Sequence, residues 1–129
     1  MKKTILITKA ISDGNRVRVL MALTHQQELC ACHIAELLRV SAPTVSRHMG
    51  ILLTAGLVTA RKDSRWVYYR LTDATGDPDI RPLVRWLAES LKADPDVSRD
   101  RLFLGHIAAC DSGQINYKSN NNRQTGRNA

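Results

Sequence analysis

Apolar positions recur along this chain at two periods, which lay out a series of short helices interrupted once by strands. Residues 2–11 place Ile5, Leu6 and Ala10 on one face of a short helix. Asp13 then reads as an N-cap, and "GNRVRVLMAL" turns Val17, Leu20, Met21 and Leu23 inward with Arg16 and Arg18 outward. "THQQ" ends that helix, and "ELCA" is short and compatible with an extended segment. "HIAELLRV" sets Ile34, Leu37 and Leu38 at helical spacing. "SAPTVSRHMGILLTAG" forms a longer helix capped by Ser41, with Val45, Met49, Leu52 and Leu53 as its apolar face. Pro43 falls in its first turn, where a missing N–H costs nothing, and Gly56 is the expected stop.

The period then changes to two. "LVTARK" and "RWVYYRL", joined around Asp63-Ser64, alternate as a hairpin, with Val67, Tyr69 and Leu71 opposite in face to Trp66, Tyr68 and Arg70. "DIRPLVRWLAESLK" returns to helical spacing, with Asp79 as cap and Ile80, Leu83, Val84, Leu87 and Leu91 on one stripe. "SRDRLFLGHIAAC" reads as a last helix. From residue 111 to 129 the chain is polar, with almost nothing to bury, and is expected to be a disordered tail after a domain spanning 1–110.

Short helix, three-residue turn, longer helix, basic hairpin is the order of a winged helix-turn-helix. The expected fold is mainly α with a small β-hairpin wing, and dimeric, since the stripes in 2–11 and 79–92 need cover. Thr44, Ser46, Arg47 and His48 lie near the start of the second helix, the end that enters the major groove in this motif, where hydroxyls and Arg reach base edges or phosphates. Ser41 and the free N–H groups at the helix start suit a phosphate oxygen. The hairpin adds Arg61, Lys62 and Arg65 at its tip. Trp66 and Tyr68 either stack on the nucleic acid or pack the outer face of the sheet.

Charge sharpens that reading. The chain carries 19 Lys and Arg against 12 Asp and Glu, a net +7. Between Ser41 and Thr72, five cations (Arg47, Arg61, Lys62, Arg65, Arg70) meet one acid (Asp63), so about a quarter of the chain holds +4 of the excess. The expected partner is double-stranded operator DNA. No Gly-rich phosphate loop and no evident Cys-His-Asp set points to an enzyme, and no resident cofactor is expected. Neither a secretory leader nor a run near the ~20 apolar residues of a membrane span is visible, so the protein is expected in the cytoplasm with reduced thiols.

That compartment bears on "ELCACH", where Cys30 and Cys32 stand one residue apart. In an extended segment both would point to one side and chelate one soft ion; on a helix they would diverge, so the pair belongs at a helix mouth. There the helix dipole lowers a thiol pKa. A pair of buried small hydrophobes is the plain alternative.

Taken together, "AISDGNRVRVLMAL", "ELCACHIAELLRVSAPTVSRHMGILLTAGLV" and "RWVYYRL" resemble the ArsR/SmtB family of metal- and metalloid-responsive repressors, over roughly residues 8–91. "ELCACH" is similar to the ELCVCDLC inducer box of the arsenical-resistance repressors. The resemblance implies a homodimer bound to an operator upstream of resistance genes and released when As(III) or Sb(III) binds the thiols. It carries over only Cys30 and Cys32, because Ala35 stands where the box has its third cysteine. Cys110, His33, His106, or a water or hydroxide remain as third donor. The zinc sensors of the family use Asp/His and His/Glu pairs on the dimerisation helix, and residues 79–92 hold no histidine. Another thiophilic metal (zinc or cadmium) or thiol oxidation on the same scaffold is the alternative, although an i, i+2 spacing strains a direct disulfide.

Overall fold

The computed structural model describes residues 1–72 and 80–107; the cap expected at Asp79, Cys110, and the tail expected over 111–129 lie outside the described residues. The elements run α1 (Lys2–Ala10), α2 (Gly14–His25), β1 (Leu29–Cys30), α3 (Ala31–Leu38), α4 (Ala42–Thr54), β2 (Val58–Asp63), β3 (Trp66–Leu71) and α5 (Ile80–Ser90). A further helix, α6, covers 95–107. It begins three residues before the start expected at Ser98, because Asp94 caps it and Pro95 occupies its first turn: Asp94 Oδ1 accepts from the Asp96 and Val97 amides at 2.9 and 3.2 Å.

Local chemistry sets the helix ends. Asp13 Oδ1 accepts from the amides of Asn15 (2.8 Å) and Arg16 (3.3 Å), capping α2. Ser41 Oγ accepts from the Thr44 amide at 3.4 Å and starts α4. Gly56, at φ +76°, ends α4 with the paired bonds of a Schellman turn, Leu57 N to Leu52 O and Gly56 N to Leu53 O, both 3.0 Å. Arg39 makes the corresponding turn between α3 and α4 from the left-handed region (φ 59°, ψ 47°), a conformation that strains a side chain bearing Cβ.

Val19, Leu20, Ile34, Val45, Met49, Leu52, Leu57 and Leu104 are almost wholly enclosed and form one core with Val58. The helices around α4 are therefore seated by packing, which is what positions the outward side of α4. Two expected apolar faces are rotated. On α1 the inward residues are Leu6, Ile7 and Ala10, and Ile5 is exposed; the chain reaches the core only where α1 turns into α2. Leu53 is exposed, since the α4 stripe closes with Val45, Met49 and Leu52 alone.

Arg16 and Arg18 correct the sequence expectation. Both were expected outward; both are half-buried and engaged. Arg18 Nε and Nη2 donate to Asp100 Oδ2 and Oδ1 at 2.7 and 2.8 Å, Nη2 also to the Leu37 carbonyl at 3.0 Å, and Nη1 to Asn15 Oδ1 at 3.2 Å. One guanidinium thus ties α6 and the end of α3 to α2.

The hairpin is part of a three-stranded sheet, ordered β1-β3-β2. Leu29 pairs with Tyr69 and Cys30 with Tyr68, while β2 and β3 pair from Val58↔Leu71 to Asp63↔Trp66. Tyr69 is buried as the alternation requires, and burial pushes its phenol above the usual value.

Candidate nucleic-acid interface and thiol pair

The exposed side of α4 begins at its capped end. Ser41, Ser46 and Arg47 are exposed, and Thr44 is half-buried with its hydroxyl 3.0 Å from that of Ser41. Two hydroxyls thus share the start of α4 with the Arg47 guanidinium, which takes part in no ion pair among the described residues; the free N–H groups expected there are fewer, because Pro43 has none and Ser41 already accepts that of Thr44. His48, expected on the same side, is half-buried, and its Nδ1 lies 3.1 Å from Arg16 Nη1. Arg16 also donates from Nε to the Ala10 carbonyl (2.8 Å) and from Nη2 to that of Lys9 (3.2 Å), so it staples the end of α1 to α4 through His48.

The wing divides its cations. Lys62 and Arg65 flank the turn, exposed and without an ion pair among the described residues; Ser64 in that turn has φ 62°. Arg61 is not at the tip: it stands opposite Tyr68, two pairs back from Asp63↔Trp66. Its Nε and Nη2 donate to Glu28 Oε2 and Oε1 at 2.7 and 2.8 Å, and its guanidinium carbon is 4.4 Å from the Tyr68 ring centroid. That hydrogen bond holds the Glu28 carboxyl below the ordinary carboxylate range. Tyr68 thus packs on the outer sheet face beneath Arg61, one of the two roles open to it from sequence.

Cys30 ends β1 and caps α3, its sulfur accepting from the Cys32 amide at 3.2 Å. Cys30 is buried and Cys32 half-buried. The two sulfurs lie against each other, with Cα atoms 5.3 Å apart. An extended i, i+2 pair would span about 6.6 Å; the chain contracts here because Cys32 already lies in the first helical turn. The same contraction puts both sulfurs on one side at the helix mouth, the arrangement two thiolates need to share an ion. Among the described residues no group of three His, Cys, Asp or Glu is placed to hold a metal; His33 is half-buried and His106 exposed.

Sequence reasoning missed Glu28 and Asp100. Glu28 carried one signal: it precedes Cys30 by two residues and so shares its face of an extended strand. Asp100 carried none, since its partner is 82 residues away.

A two-helix unit with an apolar seat and a capped, cationic outer end, followed by a basic hairpin, defines a winged helix-turn-helix DNA-binding protein. Residues 13–60 match the profile of the bacterial regulatory proteins of the arsR family. The chain is 28% identical over 109 residues to the arsenic resistance transcriptional regulator ArsR1 of Pseudomonas putida, covering 84% of this chain and 79% of that protein. It is 43% identical over 61 residues to the cadmium resistance transcriptional regulatory protein CadC of Listeria innocua, covering 47% of this chain and 51% of that one. The crystal structure of the transcriptional regulator HlyU from Vibrio vulnificus superposes with TM-score 0.55 at 30% identity, over 68% of this chain and 86% of that one. The chain belongs to the ArsR family, a family of DNA-binding transcriptional regulators rather than enzymes. No helix among the described residues is long and apolar enough to cross a membrane.

Proposed function

We propose that this protein is a homodimeric transcriptional repressor of a metalloid-resistance operon, released from its operator when As(III) or Sb(III) binds the Cys30 and Cys32 thiolates. The observation that carries the reading is the thiol pair at the mouth of α3, the helix that packs directly beneath α4. Ser41, Thr44, Ser46 and Arg47 act at the groove, with Lys62 and Arg65 on flanking phosphates and His48 holding α4 against Arg16. Exposed Ile5, Trp86 and Leu102 on α1, α5 and α6 support a dimer, which alone reads two half-sites.

Thiolates select soft ions, and the reduced pair offers two of them already on one side. Drawing both sulfurs around one ion displaces the cap of α3, whose Cys32 amide loses its acceptor. A penalty of about 2–3 kcal/mol on the DNA-bound arrangement lowers operator affinity roughly 30–150-fold. The name of the Pseudomonas relative favours arsenic, and that of the Listeria relative keeps cadmium as a competitor.

The test uses a duplex selected from random sequence by the reduced protein, with binding followed by fluorescence anisotropy at fixed salt. Arsenite is expected to release the wild type and to leave Cys30→Ser/Cys32→Ser bound. Release of both equally refutes the thiol site. Cys110→Ser decides whether a third thiolate takes part. The adjacency of the two sulfurs supports a second reading, in which oxidation of the pair is the signal; release by peroxide, reversed by dithiothreitol with no metalloid present, would establish it.

A further inference from the structure

Cys30 is opposite Tyr68 in the β1–β3 ladder, and Tyr68 is opposite Arg61 in the β3–β2 ladder. Directly opposed residues share a face, so these three form one row across the sheet. Glu28 follows on the same face one row along, two residues before Cys30. It closes a diagonal on Arg61 with two hydrogen bonds, over the ring of Tyr68.

We propose that Glu28 and Arg61 are positioning residues that carry the chemical state of the Cys30–Cys32 pair into the wing, and that Arg61 acts through Glu28 and Tyr68 rather than as a phosphate ligand. The proposal rests on the thiol reading above and adds a second route to it. The first route runs from α3 to α4 by packing. The second runs from Cys30 through the strand it ends.

Cys30 is at once the last residue of β1 and the cap of α3, so a sulfur drawn toward an ion twists a backbone that is laddered to Tyr68. A strand of two residues holds little by itself. Its grip on the wing is extended by the Glu28 carboxylate, which fastens the segment before the thiols to β2, the far strand. Movement at the thiols therefore reaches the hairpin that carries Lys62 and Arg65. The side chains of Arg61 and Glu28 are 50% and 25% exposed, so solvent screens the ion pair and it adds little to folding. Its removal leaves the fold in place and alters what is transmitted.

The experiment compares full-length wild type with Glu28→Gln, Arg61→Gln and the double variant. Arsenite uptake is read from the thiolate-to-arsenic ultraviolet absorbance, and affinity for the selected duplex from anisotropy with and without saturating arsenite. Uptake is expected to be unchanged. The ratio of the two affinities should fall at least about fivefold in each single variant and no further in the double, the signature of two residues acting as one unit. Reduced Glu28→Gln should bind the duplex within about twofold of wild type. A wild-type release ratio in Glu28→Gln overturns the proposal. So does tighter binding by reduced Glu28→Gln with a salt slope steeper by about one, which would make Arg61 a phosphate contact held back by Glu28. If wild type takes up no arsenite, the thiol reading falls for that ion, and the same ratio taken between dithiol and disulfide forms decides the coupling.

Discussion

Replacing Asp100 by Asn tests whether α6 is locked to the helix-turn-helix by charge. The Asp100 side chain is 8% exposed and accepts two short hydrogen bonds from Arg18, whose guanidinium it holds above the usual value. Breaking a fully buried ion pair by removing one partner costs about 3–5 kcal/mol, most of it for the charge left behind. Arg18 is 21% exposed and keeps the Leu37 carbonyl and Asn15 as acceptors, which lowers the expected loss to about 2–3 kcal/mol. For a domain of this size that is a fall of about 8–12 °C in Tm. Urea denaturation followed by far-UV circular dichroism, at one fixed protein concentration because a dimer's stability depends on it, reads the difference. A loss below about 0.5 kcal/mol would refute the reasoning. A second comparison isolates charge from packing: Asp100→Leu alone should be the most damaging change, and Arg18→Leu/Asp100→Leu should recover to within about 1 kcal/mol of wild type. If the double variant is as unstable as the single, the pair is not what holds α6.

Three further outcomes follow from local structure. Asp13→Ala removes the acceptor of two amides at the start of α2 and should cost about 1 kcal/mol in the same urea experiment. Arg39→Gly relieves a left-handed residue that bears Cβ and should stabilise by up to about 1 kcal/mol, less the entropy that glycine adds to the unfolded chain. Glu28 has its folded-state pKa depressed by Arg61, so its contribution is present above the unfolded value and is lost as pH falls through the folded one. The decline in Tm between about pH 5 and pH 3 should therefore be shallower in Glu28→Gln than in wild type.

What the sequence made legible was local. Asp13, Ser41 and Gly56 act within a few residues of themselves, and each does what its type predicts. The alternation of "RWVYYRL" likewise follows from a period that needs no partner. What it hid depends on which distant groups meet. An arginine between apolar helical positions reads as outward because solvent is its commonest neighbour, and nothing near Arg16 or Arg18 in the sequence marks His48 or Asp100 as the alternative. The third strand was legible only as an extended segment in "ELCA": two residues of β1 carry no period, and only pairing with β3 makes them a strand of the sheet. At the thiols the residues were legible and their distance was not, because the switch from strand to helix falls between them.

The three arginines that sequence counting assigns to the outside have a common role in the structure. Arg16 joins the end of α1 to α4, Arg18 joins α6 and the end of α3 to α2, and Arg61 joins the wing to the segment before the thiols. Every one of these links ends on, or beside, the unit that would face DNA. The +4 counted between Ser41 and Thr72 therefore overstates the charge offered to phosphate: Arg61 is matched by Glu28, which lies just outside that window, and removing that one cation leaves +3 from Arg47, Lys62, Arg65 and Arg70 less Asp63. The paired arginines instead fix how the reading helix and the wing sit relative to the helices that flank them. A regulator needs that division. On the proposed reading, cations that contact DNA set affinity, whereas cations that tie the contacting elements to the rest of the fold let a change at the Cys30–Cys32 pair alter the spacing of those contacts without touching them.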